Sequence, residues 1–275
     1  MTEQKRPLVV YHADCIDGFT AAYAAWVRLR DQAEYVPAHY GDKPVEEVDG
    51  REVYLLDFSY PRAVIEELRR RAARVMVIDH HQTAAANLEG LEDCIFDQEH
   101  SGAYLAWRYF HPERPPMPDL VLAVEDRDLW RFQLPETAEV HAGLGTLPRT
   151  FESWAQVAFD LGVAVVPGRV ALCYEQALIE TLLKKRSEIV LDGHKTWAVN
   201  SPVLISELGE AVANLPGNHA PMGVVYSIVG DQVRVSLRSV GDFDVSAIAA
   251  RRGGGGHRNA AGCEVPLRDW LGLLG

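Results

Sequence analysis

Carboxylates and imidazoles gather at three places in the first eighty or so residues: His12, Asp14 and Asp17; Asp57; and the run Asp79-His80-His81. Each set follows a β-branched, apolar stretch, so each falls where a strand hands over to a loop. A single strand-end aspartate is more often a turn or cap residue than a ligand. Three such sets on one sheet are different. Their negative charges would repel one another, and their pKa values would rise, unless a cation held them ionised. A mixed oxygen and nitrogen donor set suits manganese, iron, zinc or magnesium; its oxygen excess favours the harder ions, with manganese the best compromise. Two ions ~3.5–4 Å apart, bridged by a carboxylate and an activated water, drive in-line displacement at phosphorus. The chemistry expected of this half of the chain is hydrolysis of a phosphoester.

A second set lies near the C-terminus, in Arg251-Arg252-Gly253-Gly254-Gly255-Gly256-His257-Arg258-Asn259-Ala260-Ala261-Gly262. Glycines let successive backbone N–H groups form an anion-binding nest, and small residues let a ligand approach closely. A glycine tract alone more often means a flexible loop. This one is flanked by His257 and basic residues, and Arg238 in the preceding strand can fork onto a phosphate.

The elements that must position these groups follow from periodicity. PLVVYH (7–12), REVYLLDF (51–58) and ARVMVIDHH (73–81) are nearly continuous apolar runs, as strands buried on both faces should be. Helical patterns at 18–31 and 61–72 separate them, which implies a parallel sheet with helices on its faces. The C-terminal strand ends of such a sheet converge on one crevice, where ligands bind. Residues from Ser101 to about Phe159 read as mostly helical, and 166–193 reads as one long helix. Beyond it, the strand pair MGVVYSIVG and QVRVSLRS meets at Gly230-Asp231, and 244–252 is a short helix. The expected plan is α/β: a parallel-sheet metal-binding domain (1–165), a connecting helix (166–193) and a smaller α+β substrate-binding domain (194–275).

Composition narrows the function. The chain has 275 residues, 48% of them hydrophobic, and can bury a substantial core without cross-links. Its net charge of −12 argues against binding long duplex DNA, although a bound divalent ion can reverse the local sign in a carboxylate site. Cys15, Cys94, Cys173 and Cys263 lack zinc-site spacings and read as reduced thiols of a cytoplasmic protein. No signal-peptide pattern opens the chain, and no apolar run approaches the ~18 residues of a membrane span. His39, His100, His111, His141, His194 and His219 read as ordinary satisfied surface residues.

Taken in order, His12-Ala13-Asp14-Cys15-Ile16-Asp17-Gly18, Asp57, Asp79-His80-His81 and the tract ending His257-Arg258-Asn259-Ala260-Ala261-Gly262 resemble the successive motifs of the DHH phosphoesterase family with its DHH-associated C-terminal domain. The resemblance covers nearly the whole chain. It implies two manganese ions, with His12 and Asp14 serving one, Asp17 the other, Asp57 bridging them and His80 a further ligand. His81 would face the substrate phosphate, and Asp79 would be a ligand or the partner that orients the histidines. One more aspartate should come from VEDRDLW, and Asp126 is taken for it, with Asp128 as a cap or ion-pair partner of Arg127 or Arg131. The first motif departs from the commonest family spacing, because Cys15 and Ile16 separate its two aspartates and the loop must bulge by one residue. Arg238, Gly254, Gly255, Gly256, His257, Asn259 and Ala260 would anchor the substrate. The implied substrates are short oligonucleotides or 5′-phosphorylated dinucleotides; exopolyphosphatase, cyclic-dinucleotide phosphodiesterase and RecJ-like single-strand exonuclease are the alternatives, with a non-catalytic nucleotide sensor behind them. The family's tendency to pair hints at a homodimer.

Overall fold

The computed structural model describes residues 5–13 and 15–273, in two compact units that divide at Leu172/Cys173. The first unit opens with β1 (Leu8–His12), α1 (Ile16–Leu29), β2 (Glu34–Ala38), β3 (Glu52–Leu56), α2 (Arg62–Arg71), β4 (Arg74–Asp79), α3 (Gln82–Asn87) and β5 (Cys94–Phe96). The five strands are all parallel, in the order β2-β1-β3-β4-β5. Alternate residues of each strand bury on opposite faces. Val9, Tyr54, Leu56, Met76 and Ile78 pack one face with Phe19 and Tyr23 of α1. Leu8, Val10, Val53, Leu55, Val75 and Val77 pack the other with Ile65 and Leu68 of α2. Burial on both faces is why the sequence runs apolar without alternation. β2 and β5 are short edge strands, whose polar or brief patterns carry little strand signal.

Five helices follow: α4 (Gly102–Phe110), α5 (Asp119–Asp128), α6 (Thr137–Thr146), α7 (Phe151–Phe159) and α8 (Gly162–Leu183). Leu105, Leu120, Val124, Leu144 and Trp154 extend the first face's core. Gly143 and Gly168 let α6 and α8 touch, since a Cβ at either would strike the backbone of Ala164 or Glu139. α8 is long and apolar enough, by length and composition, to cross a membrane. Arg169, Glu175 and Glu180 interrupt its apolar run, and Ala164 and Val165 are built into the core of the unit.

The second unit contains β6 (Ser187–Leu191), β7 (His194–Asn200), α9 (Ile205–Ala213), β8 (Met222–Val229), β9 (Gln232–Ser239), α10 (Ser246–Ala250), β10 (Gly255–His257), β11 (Ala260–Pro266) and α11 (Leu267–Leu271). Its six-stranded sheet has the order β10-β11-β9-β8-β7-β6, antiparallel except between β7 and β8. The helix expected over 166–193 is corrected here: it starts at Gly162 and stops at Leu183, and 187–191 form β6. Within SEIVL only Ile189 and Leu191 are buried, a period of two, and Asp192-Gly193 turns the chain with both φ positive at 53° and 80°. That is the geometry of a tight hairpin, not of a helix end.

Candidate metal centre

From β1 the chain crosses to β2 on one side, while β3 lies on the other, so the strand order reverses direction at β1. Loops leaving two neighbouring strands in opposite directions open a crevice at their C-terminal ends. His12 closes β1, Asp57 follows β3 and Asp79 closes β4, with His80 and His81 next. Asp57 takes a left-handed backbone, φ 53°, while its N–H still donates to Ile78 O at 2.9 Å. α1 begins two residues earlier than its periodicity predicts, and this puts Asp17 in the first turn, buried.

Asp57 is the hub. Its Oδ2 lies 3.5 Å from His12 Nδ1, and its Oδ1 lies 3.3 Å from His80 Nε2 and 4.0 Å from His81 Nδ1. His80 Nε2 is also 3.5 Å from Asp128 Oδ2. Three overlapping sets have their donor atoms within 4.8 Å of one another: His12, Cys15 and Asp57; Asp57, His80 and His81; Asp17, His80 and Asp128. Asp17 uses one oxygen, accepting from Ala103 N–H at 3.1 Å. Its Oδ2 and the Oδ1 of Asp57 are buried without a hydrogen-bond partner among the described residues. A buried carboxylate oxygen left unsatisfied is costly, and a coordinated cation removes that cost. The donor set therefore fits a divalent metal.

The electrostatics agree. Burial, reinforced by the charges of Asp128 and Asp57, pushes the Asp17 carboxyl well above its ordinary range. Burial likewise raises Asp128, against the pull of His80. For Asp57 burial works against ionisation, but the imidazoles of His12 and His80 outweigh it and hold the carboxyl below its usual value. Burial disfavours the charged form of His80 as well, yet Asp57, Asp128 and Asp17 push it up to about 10. Burial, then Asp57, also keeps the Cys15 thiol protonated.

Asp79 behaves as an orienting group. Its Oδ1 accepts from His80 N–H at 2.7 Å, from His81 N–H at 3.2 Å and from His81 Nδ1 at 2.7 Å. Because a carboxylate only accepts, His81 carries its proton on Nδ1. Asp14 lies outside the described residues.

Asp126 is not brought to this cluster, which corrects the expectation that it joins the ligands. Its Oδ1 accepts from Gln133 N–H at 3.0 Å, and its Oδ2 from Leu134 N–H at 3.0 Å and Thr137 Oγ at 2.6 Å. Asp128, two residues on and on a different face of α5, stands beside His80 instead. Helical spacing was the available signal: residues i and i+2 point about 200° apart, so only one could face the cluster.

Three further groups escaped the sequence reading. Gly102 opens α4 directly over the cluster, where a Cβ would sit 2.5 Å from Asp57 Cβ and 2.9 Å from Asp17 Oδ2. Buried Glu125 accepts from Ser101 N–H at 3.2 Å and pairs with His100 Nδ1 at 3.1 Å, fixing the loop that enters α4. Tyr40 stands against His12 and His81, with ring centres 5.1 and 5.9 Å away. Of the histidines read as surface residues, His100 is half-buried against Glu125 and His111 leaves the surface altogether. His111 is buried and donates from Nε2 to Ala24 O at 2.9 Å.

In the second unit the glycine tract is ordered as a sheet edge. His257 pairs with Ala260, and Ala260 of β11 pairs in turn with Arg238 of β9. Arg238 donates to Leu237 O and Ser206 Oγ, both at 2.9 Å. Asn259 donates to Ser239 Oγ and Gly241 O at 3.0 Å, holding the turn before β11. Gly254 and Gly256 are glycine for packing, since a Cβ would strike Gly262 O or Ala260 O, whereas a Cβ on Gly255 meets open space. Arg251 and Arg252 both pair with Asp192.

Residues 206–271 match the DHHA1 domain family. Over 284 aligned residues the chain is 29% identical to an uncharacterized protein of Acanthamoeba polyphaga mimivirus; the match covers 93% of this chain and 66% of that protein's length, just short of two thirds. In fold it is similar to an exopolyphosphatase-related protein from Bacteroides fragilis (TM-score 0.57, 15% identity, 96% of this chain and 88% of that one). It is also similar to a Vibrio pGpG-specific phosphodiesterase (TM-score 0.50, 13% identity, 96% and 95%). The DHHA1 match thus follows, along the chain, a parallel sheet whose strand β4 ends at Asp79 and leads into His80-His81.

Proposed function

We propose that this protein is a metal-dependent phosphodiesterase that hydrolyses short oligonucleotides or 5′-phosphorylated dinucleotides to mononucleotides. The observation that carries the reading is the meeting of three donor sets around Asp57 and His80. His12, Asp17, Asp57, His80 and Asp128 would hold the metal, with Cys15 beside them and Mn²⁺ the ion best matched to their oxygen-rich set. A metal in such a site supplies an activated water and neutralises charge at phosphorus. Asp79 holds His81 in one tautomer and orientation, so that its ring can stabilise charge on a phosphoryl oxygen. Gly102 keeps the cluster's ceiling free of side chains. In the second unit, Arg238, His257 and the Gly255 backbone are the groups suited to a terminal phosphate.

The test is mononucleotide release from a 5′-phosphorylated diribonucleotide, with and without Mn²⁺, comparing the native chain with Asp57→Asn. Metal-dependent cleavage, lost by at least ~10³-fold in the variant, is the expected result. Cleavage that survives the substitution overturns the assignment of Asp57. Cleavage of polyphosphate or cyclic dinucleotides in preference to the diribonucleotide replaces the substrate and leaves the site standing.

A further inference from the structure

Beside the metal centre, and outside it, a cavity of about 460 Å³ opens between the loop after β2, the loop after β3 and α3. We propose that it is a nucleobase subsite, occupied by the base of a nucleotide whose phosphate lies at His12 and His81. The inference rests on the phosphodiesterase reading and names the substrate feature that the catalytic unit recognises.

The walls carry the argument. Tyr40, Phe58 and Tyr60 form a continuous aromatic surface, with ring centres 5.2 Å apart for Tyr40 and Phe58 and 4.8 Å for Phe58 and Tyr60. The same surface meets the catalytic histidines: Phe58 lies stacked 6.4 Å from His12, and Tyr40 touches both His12 and His81. Pocket and metal centre thus share a wall, Tyr40 and Phe58, so a ligand lying along it can meet both. Tyr40 is half exposed although its neighbours Phe58 and Tyr60 are buried, leaving ring surface for another flat group to cover. Aromatic faces stack on any base, and a volume of several hundred Å³ is usual for a small-molecule site.

The polar lining points the same way. Among the lining residues the only charged one is Asp42, an anion held by His39 through its N–H at 2.7 Å. With no lysine or arginine, the cavity would reject a further phosphate and accept a neutral ring. Thr83 and Asn87 supply hydrogen-bonding groups at the edge. Asn87 spends its side-chain oxygen on Arg62 N–H at 2.8 Å, so its NH₂ is the group that can donate to a ring nitrogen or carbonyl. An inorganic polyphosphate would find nothing here to bind.

The experiment compares a 5′-phosphorylated dinucleotide with its abasic analogue, which carries hydrogen at C1′ in place of each base, under Mn²⁺, in the native chain and in Thr83→Tyr, Tyr40→Ala and Tyr40→Phe. Thr83 is exposed, so a tyrosine there fills the pocket without entering the core. The native kcat/KM should favour the base-bearing substrate by about tenfold or more, the worth of one base stack. Thr83→Tyr and Tyr40→Ala should collapse that ratio, mainly through KM, and Tyr40→Phe should keep it. Equal kcat/KM for the two substrates, or a ratio that survives both disruptive variants, overturns the subsite while leaving the hydrolytic reading intact. If neither substrate is cleaved, the short-oligonucleotide reading fails, and calorimetric titration still decides the pocket. A nucleoside 5′-monophosphate should bind more tightly than ribose 5-phosphate, and Thr83→Tyr should erase the difference; equal affinities overturn the proposal.

Discussion

At the scale of single residues, the site depends as much on a missing side chain as on the charged ones. Gly102 has no left-handed backbone to explain it; the space above Asp17 and Asp57 does. A methyl there must displace Asp57 or the start of α4. Gly102→Ala should therefore weaken Mn²⁺ binding by about 10–100-fold, the usual cost of disturbing the surroundings of metal ligands. Isothermal titration calorimetry measures this, and an unchanged far-UV circular dichroism spectrum shows that the helix survives. Wild-type affinity in the variant would mean that the cation is not held between Asp17 and Asp57.

The two aspartates of α5 separate by the same kind of measurement. Asp128→Asn should lower metal affinity and leave thermal stability nearly unchanged or higher, because burial and like charges already oppose its ionisation. Asp126→Asn should do the reverse. It replaces an acceptor of three hydrogen bonds and should cost about 1–3 kcal/mol of stability, read from denaturant unfolding, with metal affinity kept.

At the scale of elements, the Leu129–Glu136 connection shows why Asp126 matters. Trp130, Phe132 and Glu136 all have positive φ, between 50° and 62°. Such backbone is expensive for residues with side chains, and it persists only when surrounding contacts over-determine it. Asp126 provides those contacts through both its side chain and its carbonyl, which accepts from Arg131 N–H at 2.8 Å. The loop in turn leaves α5 free to end with Asp128 beside His80. α4 is organised similarly: Ser101 caps it by accepting from Tyr104 N–H at 3.3 Å, and Ala103 N–H fixes Asp17. Ser101→Ala should cost about 1 kcal/mol of stability, and a larger share should appear as lost metal affinity than at an ordinary cap. Thermal melts with and without Mn²⁺ would show that difference.

At the scale of the whole molecule, acid sensitivity should come partly from a group outside the proposed ligand set. His141, in α6, is pushed down to about 3, first by burial and then by Arg127 and Arg149. The folded chain therefore keeps this imidazole neutral, while the unfolded chain takes up a proton below about pH 6.5. Its contribution to stability is full above that pH and is lost progressively as pH falls toward the folded value. Urea unfolding midpoints measured in chelator should decline between pH 6.5 and 4.5, and less steeply in His141→Gln. Parallel pH profiles for the two proteins would show that His141 is not buried neutral.

The sequence by itself determined the architecture wherever burial alone decides it. Strands covered on both faces must be apolar throughout, so β1, β3 and β4 were legible. The polar residues that ended those runs, His12, Asp57 and Asp79-His80-His81, were conspicuous for the same reason. Glycines, His257 and Arg238 likewise stood out by type. Tertiary structure decided what depends on rotation about an axis or on residues distant in the chain. Asp126 and Asp128 are equivalent in type and nearly adjacent, and only the packing of α5 against α1 and α4 shows which one faces His80. Gly102, Glu125 and Tyr40 carry no motif, because their importance arises from contacts with residues dozens of positions away. The helix expected to reach residue 193 stopped at Leu183 because a period of two in SEIVL won once a hairpin partner, β7, was available to pair with it. Local pattern records which residues need burial; the three-dimensional fold selects the polar groups left facing one another.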